Sequence, residues 1–187
     1  MTPLLIIIGL VVVAIGWYIS ANNKLVALKN NRENAFADID VQLKQRHDLI
    51  PQLIATVKGY MDHEKELLTR ITEARTNAMN ASGINDKINA ENELGAAMGA
   101  FKIQVEAYPD LKASTNFLQL QNEISDIENK LASVRRYFNS ATRELNTAIE
   151  SIPTNFVANM KKMTVQPMFD LGETQREEMD KAPEIKF

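Results

Sequence analysis

Residues 115–153 read TNFLQLQNEISDIENKLASVRRYFNSATRELNTAIESIP. Phe117, Leu120, Ile124, Ile127, Leu131, Val134, Phe138, Ala141, Leu145, Ala148 and Ile152 follow one another in alternating steps of three and four. Such steps keep one face of an α-helix apolar. A face sustained over about five heptads packs knobs-into-holes against neighbouring helices. No Gly or Pro interrupts the run, Ser114 or Thr115 can cap its start, and Pro153 stops it.

Working back along the chain, the same period recurs. Ile88, Leu94, Met98, Phe101 and Val105 mark a helix from about Asn85 to Tyr108, ended by Pro109-Asp110. Leu67, Leu68, Ile71, Ala74 and Ala78 mark another, from His63 to about Ala81, ended by Ser82-Gly83. Asp62 suits its N-cap, with Glu64 and Glu66 in the first turn, and Gly59 suits the C′ position of the helix before it. One long kinked helix through Gly59 is the alternative. The first amphipathic stripe is Phe36, Ile39, Leu43, Ile50, Leu53 and Val57, with Arg46 lying on it. Pro51 falls inside this stripe and is expected to kink the helix or leave a nearby carbonyl unpaired. Past Pro153, residues 154–163 suit a short amphipathic turn with Phe156, Val157 and Met160.

Upstream of the stripes the pattern changes. Leu4 to Ile19 reads LLIIIGLVVVAIGWYI, and no side chain from Thr2 to Asn23 is charged. About 20 apolar residues make about 30 Å of helix, the thickness of a bilayer core. Trp17, Tyr18 and Lys24 stand where residues favour the membrane–water interface. No Lys or Arg precedes Leu4, so a cleaved signal peptide is disfavoured. Lys24, Lys29 and Arg32 follow the span, which by the positive-inside rule puts the N-terminus outside and the bulk in the cytoplasm.

The expected fold is therefore all-α: an uncleaved transmembrane anchor over 1–23, then an antiparallel up-and-down four-helix bundle with long helices over 24–165. A charged, loosely packed tail would fill 166–187. Seven Gly and six Pro in 187 residues agree with a helical chain. A net charge of −3 argues against nucleic-acid binding, and the lack of cysteine removes disulfides and thiolate chemistry.

The stretch 39–60, IDVQLKQRHDLIPQLIATVKGY, resembles the LemA family. So do His63-Glu64 through Leu67, Ile71 and Ala74-Arg75, the run RRYFNSATRELNTAIESIPTNFVA at 135–158, and NNKLVALKNNRENAF at 22–36. The resemblance implies a membrane-anchored helical bundle without established catalytic residues. One branch of that family is associated with magnetosome membranes, and family genes often neighbour those of membrane-associated metalloproteases. Tyrosines are common in the family where this chain has Phe138 and Leu145, which on the seam looks like core substitution.

The polar candidates are few. Asp40, Arg46, His47 and Asp48 form a cluster that could serve a partner or a metal, or could simply be an ion-pair network holding Arg46 against a neighbouring helix. Two ligands, Asp40 and His47, are too few for a metal site. His63-Glu64 begins like a zincin helix, but position 67 is Leu67, so capping by acidic residues explains Glu64 and Glu66 better. Asn92, Glu93, Gln119, Asn122, Glu128 and Lys130 fall off the stripes, as a solvated face or protomer contacts. Gly95 and Gly99 fit tight packing inside the bundle or a self-association surface, and Gly9 and Gly16 a weak contact strip between anchors.

The expected role is a non-enzymatic membrane-anchored scaffold, self-assembling as a homo-oligomer in the bacterial inner membrane and binding no cofactor. The alternative is an adaptor that presents the bundle to a membrane protease or signalling partner. Alkaline extraction of membranes tests the anchor: the chain is expected to stay in the lipid fraction, and release into the soluble fraction refutes the span.

Overall fold

A computed structural model describes residues 2–61 and 63–169. The described residues form helices α1 (Thr2–Val57), α2 (Lys65–Asn80), α3 (Ile84–Val105), α4 (Pro109–Lys112), α5 (Thr115–Glu150) and α6 (Thr154–Met160), and no strand. Six helices thus stand where four long ones were expected, and the chain divides into two units. The reason is length. The 56 residues of α1 and 36 of α5 far outrun the 16 of α2 and 22 of α3.

The first unit comprises residues 1–40 and 132–168. Every described side chain of α1 from Pro3 to Ser20 is exposed, and then the helix meets a core. Ile19 is 51% exposed, Ala21 5% and Leu25 0%. Ala21 and Leu25 pack with Leu145, Ala148 and Ile149 of α5 and Val157 and Ala158 of α6. Farther along, Asn31 accepts a hydrogen bond from the Tyr137 hydroxyl at 3.1 Å, and the Phe36 and Phe138 rings meet edge-on at 5.7 Å. Partners that rise along α1 as they fall along α5 make the two helices antiparallel.

The α5–α6 turn in this unit is tightly held. Thr154 Oγ1 lies 2.7 Å from the Ala148 carbonyl, in the last turn of α5, and 2.9 Å from that of Ser151, which also accepts from the Asn155 amide, and its hydroxyl donates to this pair. At the far end of α6, the Met163 amide bonds the Ala158 carbonyl and the Lys162 amide that of Asn159. These two bonds form a Schellman closure, with Lys162 (φ 54°) in the left-handed position that usually holds glycine. A side chain there costs about 1–2 kcal/mol. Val157 is buried, whereas Phe156 and Met160, expected on the apolar side of this turn, are 60% and 72% exposed. Ile152, expected to end the α5 seam, is 78% exposed because it lies past the helix end.

The expected loose tail is tied down at its start. Asn146 Nδ2 donates to the Gln166 carbonyl and its Oδ1 accepts from the Gln166 amide, at 2.9 and 2.8 Å. Phe169 is buried, and the rest of the expected tail, 170–187, lies outside the described residues.

In the second unit, residues 41–131 supply a core from Ile50, Leu53 and Val57 of α1, Leu68, Ile71 and Ala74 of α2, and Leu94, Ala97 and Phe101 of α3, closed by Leu111 and Phe117. The chain does break near Gly59, so α1 and α2 are separate helices; α2 starts at Lys65, and Asp62 lies outside the described residues. Glu64 holds the N-cap position but makes no capping bond. Its carboxylate instead accepts from Gln104 Nε2 at 2.6 Å and the Tyr108 hydroxyl at 3.2 Å, pinning the start of α2 to the end of α3. That pairing makes α2 and α3 an antiparallel hairpin. Its turn passes through Gly83 at φ 85°, a backbone that side chains rarely adopt. Pro109 opens α4 at its first turn, where its missing N–H costs nothing, besides ending the run before it.

Gly95 and Gly99 do not pack tightly inside a core: a Cβ at either would meet nothing within 4 Å. The same holds for Gly9 and Gly16.

Phe138→Ala is expected to cost about 3–5 kcal/mol, because the ring is fully buried against Phe36 and leaves a cavity. Thermal melting of the detergent-solubilised chain checks this, with Tm expected to fall by roughly 10 °C.

Candidate functional site

Proline at 51 sets up the polar centre of the second unit. It lies inside α1 and has no N–H to give the carbonyl four residues back, which is that of His47. Arg75 Nε, from α2, donates to that carbonyl at 2.6 Å. The carbonyl expected to be orphaned by Pro51 is thus satisfied across a helix pair, and α1 continues to Val57.

One turn earlier, Arg46 occupies a core position of the α1 stripe and is 1% exposed. Its guanidinium is paired with the carboxylate of Glu91 on α3, and its Nη1 donates to Glu128 Oε1 on α5 at 2.9 Å. His47 Nε2 lies 2.7 Å from the other oxygen of Glu91. Glu91 is 2% exposed, between Ile88 and Leu94 on the buried face of α3. A buried carboxylate there would be strongly destabilising without partners, and it has one at each oxygen. Arg46 Nε is a buried atom without a hydrogen-bond partner.

Of the four residues singled out from the sequence, then, Arg46 and His47 converge on Glu91. Asp40 and Asp48 are exposed. Asp48 borders a shallow groove of about 380 Å3 shared with Glu123, Asp126 and Lys130. Glu91 was missed, though a charged residue in register with Ile88 and Leu94 was a signal that Arg46 needed a counterion. Glu128, expected on a solvated or protomer-facing surface, is half-exposed and turned to Arg46. No group of three or more His, Asp or Glu suited to a metal occurs among the described residues. His63 is exposed.

The phenol of Tyr108 is raised above its ordinary pKa by burial first, then by its bond to Glu64 and that carboxylate's charge; Gln104 opposes the shift.

In the first unit the corresponding buried cation is Arg32, expected only as a flanking positive charge. It is 5% exposed, donates from Nε to Thr142 Oγ1 and from Nη2 to the Pro167 carbonyl, each at 3.2 Å, and lies 4.8 Å over the Phe138 ring. Burial lowers its pKa, opposed by neighbouring Glu33. Trp17 and Tyr18 are exposed on α1. Lys24, one turn past the uncovered stretch, borders a groove of about 390 Å3 with Arg143, Thr147, Ser151 and Thr154. α1 is the helix, among the described residues, that is long and apolar enough to cross a membrane.

A model of the LemA family matches residues 35–187. The chain belongs to the LemA family. Protein LemA of Metamycoplasma hominis is 29% identical over 164 residues, covering 87% of this chain and 75% of that protein. Magnetosome protein MamQ of Magnetospirillum gryphiswaldense is 28% identical over 71 residues, 38% of this chain and 26% of its own length. Magnetosome protein MamQ 2 of Paramagnetospirillum magneticum is 20% identical over 162 residues, covering 73% of this chain and 60% of its own. The family match starts beyond the apolar stretch of α1 and takes in the Arg46, His47 and Glu91 positions of this LemA-family chain.

Glu91→Leu is expected to cost about 3–5 kcal/mol, since it removes the buried counterion of Arg46 and leaves that cation with the half-exposed Glu128 alone. The double variant Arg46→Met/Glu91→Leu is expected to recover most of that loss, as measured by urea denaturation in detergent. Additive losses would contradict a buried pair.

Proposed function

We propose that this chain is a non-enzymatic, membrane-anchored helical scaffold that assembles with copies of itself. The observation that carries the reading is the continuity of α1. One helix is uncovered and apolar up to Ser20 and packed into a core from Ala21, so the first unit is fused to the span without a linker. A domain held that way keeps a fixed pose at the membrane, and confinement to a surface raises its effective concentration for weak contacts.

Two features support a role in assembly rather than chemistry. The buried cations are engaged by structural partners, Arg46 by the carboxylates of Glu91 and Glu128, and Arg32 by the Thr142 hydroxyl and the Pro167 carbonyl. On α3, Gly95, Gly99 and Ile103 fall at four-residue intervals on an exposed face, with Ile103 76% exposed, the kind of small-residue surface over which helices approach closely. The core lined by α1, α2, α3 and α5 is read as an antiparallel four-helix bundle. The positive flank of Lys24 and Lys29 supports a cytoplasmic placement of the bulk at the bacterial inner membrane. The magnetosome proteins among the relatives agree with a part in organising membranes.

The test is the oligomeric state. Mild-detergent extracts are expected to give, by light scattering, a mass of two or more chains, reduced to one by Gly99→Leu. A strict monomer contradicts self-assembly. Pull-down from native membranes dominated by one foreign membrane protein, rather than by copies of this chain, would support the adaptor reading instead.

A further inference from the structure

The face of the first unit that adjoins the span carries apolar residues with no protein cover. Ile152, Phe156 and Met160 succeed one another at intervals of four and are 78%, 60% and 72% exposed. Their neighbours Val157 and Ala158 are buried against Ala21 and Leu25. Ala21 follows the aromatic pair Trp17-Tyr18 by one helical turn, about 6 Å. α5 runs antiparallel to α1 and packs Ile149 at the level of Ala21, so the turn holding Ile152 projects back toward the span. Two lysines, Lys161 and Lys162, close α6, and Lys24 and Arg143 border the groove beside it, where long basic side chains can reach phosphate oxygens.

We propose that Ile152 and α6 form a second membrane contact, seated in the headgroup and upper acyl region of the same bilayer that α1 crosses. The inference rests on the reading of residues 4–20 as the span and adds an occupant for a surface the fold leaves bare. The arrangement is that of an interfacial amphipathic helix: one side packed on protein, the other apolar, and a basic end. It differs from free amphipathic helices in being pre-formed. Thr154 clamps its entry and the Met163–Ala158 bond its exit, so no folding is needed on contact with lipid. With α1 as one contact and α6 as another, the first unit is fixed in tilt and rotation relative to the membrane, which a single helix would leave free.

Trp17 is the one tryptophan in the chain, so fluorescence separates this inference from the span itself. The full-length protein is reconstituted into phosphatidylcholine–phosphatidylglycerol vesicles containing acyl chains brominated at shallow or deep positions. Trp17 of the parent protein is expected to be quenched, and its failure to quench overturns the span. In the background Trp17→Phe, Phe156→Trp and Ile152→Trp are each expected to show blue-shifted emission and at least half the quenching of Trp17, stronger with shallow than with deep bromines. Tyr137→Trp in the same background is the water-exposed control, since Tyr137 meets Asn31 about 15 Å past Ala21 along α1. Red emission from both α6-face variants while Trp17 is quenched overturns the second contact. Blue emission that no brominated lipid quenches also overturns it, by showing that another protein surface covers the face.

Discussion

Helix α1 changes solvent within one turn. Up to Ser20 its side chains face outward all round, and water is a poor solvent for the sixteen apolar or glycine residues from Leu4 to Ile19. From Ala21 the same helix shows one buried stripe, and α5 and α6 cover it. No break separates the two regimes, so the helix that is long and apolar enough to cross a membrane also enters the core of the first unit. In the first unit α5 keeps an apolar face toward α1 from Phe138 to Ala148, and α6 turns back on Ala21 through Val157 and Ala158, its entry held by the Thr154 hydroxyl.

Within that frame the polar groups act as registers. Arg46 stands where a leucine would suffice for packing, and its partners Glu91 and Glu128 come from two other helices. The Pro51 gap, filled by Arg75, ties α2 to the same turn of α1. Apolar faces tolerate sliding, whereas a buried cation and an orphaned carbonyl each accept a partner at one place only. In the first unit Arg32 and Asn146 do the same for the segment after α6, fixing Pro167 and Gln166 by their backbone atoms. These polar contacts read as devices that select one alignment of helices, with stability supplied mainly by the apolar stripes.

Much of the fold was legible in the sequence because helical burial is periodic. The stripe from Phe36 to Val57 is buried at each position, and most of the seam from Phe117 to Ala148 is too. Periodicity names the face but not the neighbour, and there the reading failed. Glu91 stands in register with Ile88 and Leu94, which marks it as buried, but nothing local names Arg46, 45 residues away, as its partner. Glu64 passes for a cap, because its place at a helix start is local while Gln104 and Tyr108 are not. Arg32 counts as a flanking charge, though it falls four residues before Phe36 and seven before Ile39, on their face. Ile152 counts as the end of the seam, and Phe156 and Met160 as part of a short amphipathic turn, on their apolar side chains alone. Only the geometry shows them uncovered, because a sequence cannot tell an apolar residue that packs on protein from one left bare.

Whether one helix runs unbroken from a lipid environment into the protein core can be read by a cysteine scan, since the chain has no cysteine of its own. Single cysteines from residue 10 to residue 40 would be spin-labelled in reconstituted membranes and their accessibility to oxygen and to a water-soluble nickel chelate recorded. High oxygen and low nickel accessibility are expected all round the helix up to the level of Trp17-Tyr18. Beyond it, a helical period should appear with minima at Ala21, Leu25, Arg32, Phe36 and Ile39. Nickel accessibility throughout residues 10–20, or loss of the helical period between Gly16 and Leu25, would contradict that continuity.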